Sequence, residues 1–421
     1  MKIGIIGLQH LGCVTAACLA HLGFDVIAYD NPLDTDTIKK ILAVEPGLNE
    51  LAQPSFTNNL LDLAVCDIAW ITFDVPVNDN DIADVNSVFQ NIEKIFPILT
   101  PHTLIIISTQ LPVGSIKKIQ AYSKENFPNK HFRFACIPEN LRLGQAIKSF
   151  CYPQRIVIGI ENAEDKTQLL EVVSRINSKI IWMSIAAAEM TKHALNAFFA
   201  NSIVFINELA QLCEKLGIDA REIEQGLKSE ERIGEKAYLK PGAAIGGGTL
   251  LRDVNYLNEL ATAHQIHTPL LSAIPKSNSN HQHWAVHILK QTFPSMENKI
   301  IALLGLTYKA ETITLQQSPA IQLAQLFKKN GATVYAYDPN MPMLPNSFTA
   351  DIELKTSLED LLLAIDALII INNYSNLPFT PDKLLAHVSQ PFVLDPNGYL
   401  PDTFKHDKRI KYLTVGTNQC N

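Results

Sequence analysis

Short apolar runs alternate with longer stretches of helical period along most of this chain. The first run, Lys2–Ile6, stops at Gly7. Residues 11–22 then carry Leu, Ala and other small residues at helical spacing, and a second run, Asp25–Tyr29, stops at Asp30. Strand, glycine turn, helix and strand in that order predict the first βαβ unit of a nucleotide-binding sheet. Further apolar runs at 68–73, 104–108 and 134–137, with a helical stretch at 84–98, predict a parallel, doubly wound sheet, because parallel neighbours need a crossover helix.

From 184 to about 216 the pattern becomes one long helical period. Ala187, Met190, Ala194, Ala197, Phe198, Val204 and Phe205 are related by spacings of three, four and seven, with no Pro or Gly between them. A second helix at 220–227 follows Gly217, then a Gly-rich loop at 242–248 and a helix from Asp253. Near residue 298 the first pattern restarts: a strand at 299–304 ending at Gly305, a helix at 319–330, a strand Thr333–Tyr337 ending at Asp338, and strands at 367–371 and Phe392–Leu394. The chain is therefore expected to be α/β, with two Rossmann-like doubly wound parallel-sheet domains (1–183 and 297–421) joined by a helical central domain (184–296) containing one long helix.

Composition narrows the function classes. The 421 residues exceed what one hydrophobic core usually organises, and 47% of them are apolar, enough for more than one packed interior. A formal charge of −7 argues against a nucleic-acid surface while leaving anionic small molecules open. The seven cysteines are odd in number and show no C-x-x-C or Cys/His metal spacing, so free thiols in a reducing compartment and no metal are expected. The start of the chain runs straight into a strand with no signal-peptide layout, and no apolar run approaches the roughly 20 residues that span a bilayer. A cytoplasmic protein without a membrane role is expected.

The first turn reads Gly7-Leu8-Gln9-His10-Leu11-Gly12, in the place of G-x-G-x-x-G. Gly7 permits the tight turn and Gly12 permits close packing of helix on strand, but the middle glycine, where backbone approaches a pyrophosphate, is Gln9. Gly7, Gln9, His10, Leu11 and Gly12 are the candidate phosphate contacts. Asp30 lies 18 residues beyond Gly12 at a strand end, where a carboxylate takes ribose hydroxyls and repels a 2′-phosphate. NAD is the expected cofactor; a Rossmann domain that no longer binds dinucleotide is the alternative that Gln9 raises.

Several ordered segments then carry a resemblance. Glu45-Pro-Gly-Leu48-Asn-Glu-Leu51, Ser108-Thr109-Gln-Leu-Pro112-Val-Gly114, Pro138-Glu139-Asn140-Leu141-Arg142-Leu143-Gly144, Pro153-Gln154-Arg155, Glu189-Met-Thr-Lys192-His-Ala-Leu-Asn196, Arg232-Ile-Gly234, Gly246-Gly247-Gly248-Thr249-Leu-Leu-Arg252-Asp253 and Gly305-Leu-Thr-Tyr-Lys309 follow one another in step. Together they resemble the UDP-glucose/GDP-mannose dehydrogenase family over nearly the whole chain. The resemblance implies an NAD-dependent oxidation at C6 of a nucleotide-activated hexose, UDP-hexose above all, by a homodimer joined through the long helix. It implies that Lys192, Asn196 and Asp253 hold the reacting oxygen and a water, that Thr109 fixes that water, and that Glu139 is an acid/base. It places Asn140, Leu141, Gly246 and Gly247 at the sugar nucleotide, Lys309 at its diphosphate, and Arg232 in a neighbour's site.

The departures cluster in the same segments. Thr249 stands where the family has its nucleophilic Cys, and a threonine hydroxyl is far less acidic than a thiol. Gln316 and the Asp395-Pro396-Asn397-Gly398 turn stand where the family has arginines. Two functional classes follow: a dehydrogenase that stops at the 6-aldehyde, or a catalytically impaired relative that binds a sugar nucleotide or scaffolds. Plainer roles stay open for single residues: Lys192 as a solvated helix residue, Glu139 as a turn carboxylate, Arg232 as an ion-paired surface group, and 246–248 as a flexible turn.

Overall fold

The computed structural model describes residues 1–76, 83–142, 144–176, 178–246, 249–307, 315, 318–374 and 377–417. It divides into two compact units, Met1–Leu195 and Asn196–Asn421. Gly247 and Lys309, both candidates from the sequence, lie outside the described residues, as do Leu143, Gly248 and Gln316.

The first unit runs β1 (Lys2–Ile6), α1 (His10–His21), β2 (Asp25–Tyr29), α2 (Thr35–Val44), β3 (Ser55–Thr57), β4 (Ile68–Ile71), α3 (Val85–Glu93), β5 (Leu104–Ile107), α4 (Ser115–Asn126), β6 (Arg133–Cys136), α5 (Ala146–Cys151), β7 (Arg155–Ile160), α6 (Asp165–Val173), β8 (Lys179–Met183) and the first turns of α7 (Ile185–Leu216). Its strands order β3-β2-β1-β4-β5-β6-β7-β8. The central strands are buried on both faces, as their unbroken apolar runs require. Separate apolar clusters fill the two faces of the sheet. The small residues of α1, among them Cys13, Ala16 and Ala17, let that helix lie close on the sheet.

Parallel pairing holds except at β6–β7, which is antiparallel. The segment between these two strands therefore begins and ends at the carboxyl edge of β6, and keeps Glu139 there. In a doubly wound sheet that edge is where ligands bind, at the reversal of strand order; here the reversal lies between β1 and β4.

The second unit holds the rest of α7, then α8 (Ala220–Ser229), α9 (Thr249–Ala263), α10 (Pro269–Gln282), α11 (Trp284–Thr292), β9 (Ile300–Leu304), α12 (Pro319–Lys329), β10 (Thr333–Tyr337), β11 (Glu353–Leu354), β12 (Ala367–Ile370), β13 (Phe392–Leu394) and β14 (Lys411–Leu413), with shorter helical turns between the last strands. Its sheet is parallel throughout, ordered β11-β10-β9-β12-β13-β14, the same winding as the first. α9 begins at Thr249, one turn before the expected Asp253, so Thr249 is the helix's first residue. The apolar residues of α7 form two faces. Ala197, Ala200 and Val204 are buried, whereas Phe198, Phe205, Leu212 and Leu216 are 67%, 47%, 59% and 71% exposed. No helix among the described residues is long and apolar enough to cross a membrane.

Candidate active site

The turn after β1 is built by backbone constraint. Gly7 has φ +98°, and a Cβ there would lie 2.5 Å from Phe73 Cδ1; a Cβ on Gly12 would lie 1.8 Å from the Gly7 carbonyl oxygen. Neither position tolerates a side chain. Gln9 is the N-cap residue of α1, yet its side chain makes no cap. It is exposed and turns its Oε1 towards the Asp74 N–H, 3.4 Å away. The first turn of α1 thus keeps its amides uncapped and carries no acidic residue, an anion-binding arrangement.

Asp30 is half-buried at the end of β2, accepting from the Leu8 N–H at 2.7 Å and the Asn31 N–H at 2.8 Å. Each carboxylate oxygen retains a further lone-pair direction, so the group can brace the turn and still accept a ribose hydroxyl. Leu11 is buried against the sheet rather than presented to solvent. His10 is engaged elsewhere: its Nε2 lies 2.7 Å from Glu45 Oε1. Glu45 also accepts from the Gly144 and Ala146 N–H groups at 3.0 and 3.1 Å. Burial pushes the Glu45 carboxyl up, but these N–H bonds and His10 outweigh it and leave the group below the usual carboxylate value. These residues fit NAD: an uncapped helix start for the pyrophosphate and a carboxylate for the adenosine ribose.

The second sheet shows why the same pattern need not carry a dinucleotide. Asp338 occupies the place of Asp30 but is only 2% exposed. Its Oδ2 accepts from the Leu306 N–H, the Thr307 N–H and the Tyr374 hydroxyl, and its Oδ1 from the Asn340 N–H. It is consumed by its own turn.

At the carboxyl edge of β5 and β6, Lys192 Nζ pairs with Glu139 Oε2 at 3.2 Å, their side chains 13% and 23% exposed. Glu139 Oε1 accepts from the Leu141 N–H. Lys192 is therefore not a solvated helix residue, and Glu139 holds both its own turn and the lysine. Asn140 is exposed beside them. A cleft of about 100 Å³ adjoins the pair and is walled by Leu11, Trp70, Ile137, Phe150 and Ile176. Thr109, nearby, is buried, and its Oγ1 has no hydrogen-bond partner among the described residues. A buried hydroxyl left unpaired costs about 1–3 kcal/mol, so it marks a place where a further partner belongs.

The loop carrying Thr109 is fixed from α7. Glu189 accepts from the Gly114 and Ile116 N–H groups at 2.8 and 3.0 Å, capping α4, and His193 Nε2 lies 2.8 Å from the Leu111 carbonyl. Burial raises the Glu189 carboxyl above its ordinary value despite those bonds. Sequence reasoning gave Glu45, Glu189 and His193 no site role. The available signal was a Glu and a His flanking Lys192 on an apolar helix, and a Glu directly before Pro-Gly.

In the second unit Asn196 Nδ2 donates to Asp253 Oδ2, both side chains buried. Thr249, four residues before Asp253 on α9, is exposed, and Gly246 is half-buried. Arg232 lies in the turn after α8, its side chain 88% exposed and its Nε 2.7 Å from Glu230 Oε1; within one chain it is a surface ion pair. No cluster of three or more metal-ligating side chains occurs among the described residues.

Residues 1–179 match the NAD binding domain of the UDP-glucose/GDP-mannose dehydrogenase family, 186–280 its central domain and 302–402 its UDP binding domain. A UDP-glucose 6-dehydrogenase from Rickettsia conorii is 30% identical over 438 aligned residues, covering 99% of this chain and 100% of that protein. Among solved structures, a UDP-glucose dehydrogenase from Pyrobaculum islandicum superposes with a TM-score of 0.84 at 23% identity, covering 99% of this chain and 98% of the other. A UDP-D-ManNAc dehydrogenase from Pyrococcus horikoshii gives 0.83 at 22% identity, covering 99% of each chain.

Proposed function

Since the chain belongs to the UDP-glucose/GDP-mannose dehydrogenase family, we propose that it oxidises the C6 alcohol of a UDP-activated hexose and releases the 6-aldehyde. One observation carries this: α7 bears two side chains, four residues apart and so on one helix face, that each hold a carboxylate, Lys192 with Glu139 and Asn196 with Asp253. Bound at the turn after β1, NAD supplies the acceptor for the C6 hydride.

The chain's own residues do the rest. The Asp253 carboxylate accepts the C6 hydroxyl proton, while Lys192 by charge and Asn196 by hydrogen bond stabilise the alkoxide. The unpaired Thr109 hydroxyl holds a water beside that oxygen, and the apolar wall of the adjoining cleft keeps the charges strong. Glu139 orients Lys192. Asn140, Leu141 and the glycines at 246 and 247 take the sugar phosphate, and Lys309 its diphosphate.

Thr249 sets the product. Its hydroxyl cannot form the thiohemiacetal through which a cysteine retains the aldehyde for a second oxidation. The exposed apolar residues of α7 support a homodimer, in which the exposed Arg232 is available to the partner's sugar nucleotide.

The test is stoichiometric. With UDP-glucose and excess NAD, the expected yield is a single NADH per sugar and an aldehyde that hydrazine traps; Thr249→Cys raises the yield and gives acid. A rapid yield of two from the unaltered protein overturns the aldehyde assignment. Tight sugar-nucleotide binding with no NAD binding overturns the oxidoreductase.

A further inference from the structure

Residues 242–245 precede the glycine triplet and α9, and form neither helix nor strand. Side chains take their backbone groups instead. Gly242 N–H donates to Asn207 Oδ1 at 3.0 Å, and the Gly242 carbonyl lies 2.7 Å from His281 Nε2. Ala243 N–H donates to Asn397 Oδ1 at 2.9 Å, and its carbonyl accepts from Asn207 Nδ2 at 3.4 Å. Asn278 closes both groups of Ile245, accepting from its N–H at 2.7 Å and donating to its carbonyl at 3.1 Å. His281 Nδ1 in turn lies 3.1 Å from Gln211 Nε2. Asn207, Asn278 and His281 are 2%, 1% and 4% exposed.

A buried irregular segment must find partners for its backbone, but this one also has a position to hold. Beyond the triplet, α9 is tied down by Asp253 on Asn196. Residues 242–245 and α9 are thus each tied down by buried side chains.

Asn397 differs from the other clamp residues. They come from α7 and α10, whereas Asn397 comes from the turn after β13, where the family has an arginine. That turn is itself fixed: buried Asp395 accepts from the Leu400 N–H and the Tyr412 hydroxyl, both at 2.7 Å. Contact with the loop is close enough that a Cβ on Gly242 would lie 2.4 Å from Asn397 Oδ1.

We propose that Asn397 is a positioning residue: through the Ala243 N–H it sets the backbone of residues 243–246, and so the approach to α9, for the reacting C6 group. This rests on the dehydrogenase activity proposed above. Substituting the asparagine that stands in for an arginine thus disturbs the oxidation step rather than only nucleotide binding.

The test compares Asn397→Ala, Asn397→Asp, Gly242→Ala and the double variant Gly242→Ala/Asn397→Ala, by hydrogen exchange and steady-state kinetics with UDP-glucose. Asn397→Ala is expected to speed exchange of the Ala243 amide and the first turn of α9, and to lower kcat on the order of tenfold with the KM for NAD little changed. Asn397→Asp, which keeps the acceptor, recovers most of kcat. Gly242→Ala displaces Asn397 and loses a similar factor, so adding Asn397→Ala costs nothing more. Unchanged exchange at Ala243, additive losses, or a kcat that falls only as the folded fraction falls would each overturn the proposal. An unaltered protein inert towards UDP-glucose and other nucleotide sugars sinks the functional assignment and this one together; an active one with an unaffected Asn397→Ala kcat sinks this one alone.

Discussion

Lys192 is held in place by a carboxylate, and that sets what its loss would do. Lys192→Ala leaves Glu139 half-buried without its cation and, on the proposed mechanism, removes the charge opposite the alkoxide. A drop in kcat of about 10²–10³ is expected, with the Kd for NAD nearly unchanged in a direct binding titration. His281 provides a pH signature. Burial lowers its ring below the ordinary value of 6.5, against the opposing bond to Gly242. Between the lowered value and 6.5 the unfolded chain takes up a proton that the folded chain refuses, so stability rises with pH through that window and is lost as pH falls. Denaturant unfolding of His281→Gln should show a shallower pH dependence there than the unaltered protein. An unchanged slope would mean the ring titrates normally.

The first helix meets its turn with an exposed glutamine where the fingerprint has glycine. Because Gln9 leaves the helix start uncapped and leans on the Asp74 N–H only at 3.4 Å, Gln9→Gly should cost little stability, glycine being an acceptable N-cap. NAD affinity measured by calorimetry should rise severalfold, since backbone can then approach the pyrophosphate. A fall in affinity would show instead that the Gln9 amide is itself a phosphate contact. α9 is the other element to consider. Its start at Thr249 puts that residue on the first turn, where a thiol would be activated by the helix amides but an alcohol would not be ionised.

At the scale of the molecule, α7 carries an exposed apolar stripe at Phe198, Phe205, Leu212 and Leu216, spaced by seven, seven and four residues. A stripe of that regularity on a long helix suits a self-complementary helix pair. Phe205→Asp is expected to shift the sedimentation of the protein from dimer to monomer. Because Arg232 would serve the partner's site, activity should fall with the dimer. A monomeric unaltered protein would rule out the dimer, and a Phe205→Asp variant that stays dimeric would place the interface elsewhere.

What the sequence alone determined is local. Unbroken apolar runs, a period of 3.6, glycines at turns and an Asp at each second strand's end made both windings and the long helix legible, because short-range sterics and burial act on neighbours in the chain. The trio on α7 and α9 came from resemblance. Tertiary structure decided what depends on distant segments meeting. Asp30 and Asp338 sit in the same local pattern, yet only burial and the return of Tyr374 show that the second is spent on its own turn. Glu45 reaches 144–146, Glu189 caps α4, and Asn397 holds Ala243 across a separation of 154 residues. No local period records such contacts, because their partners are fixed only when each unit folds and brings together segments far apart in the chain.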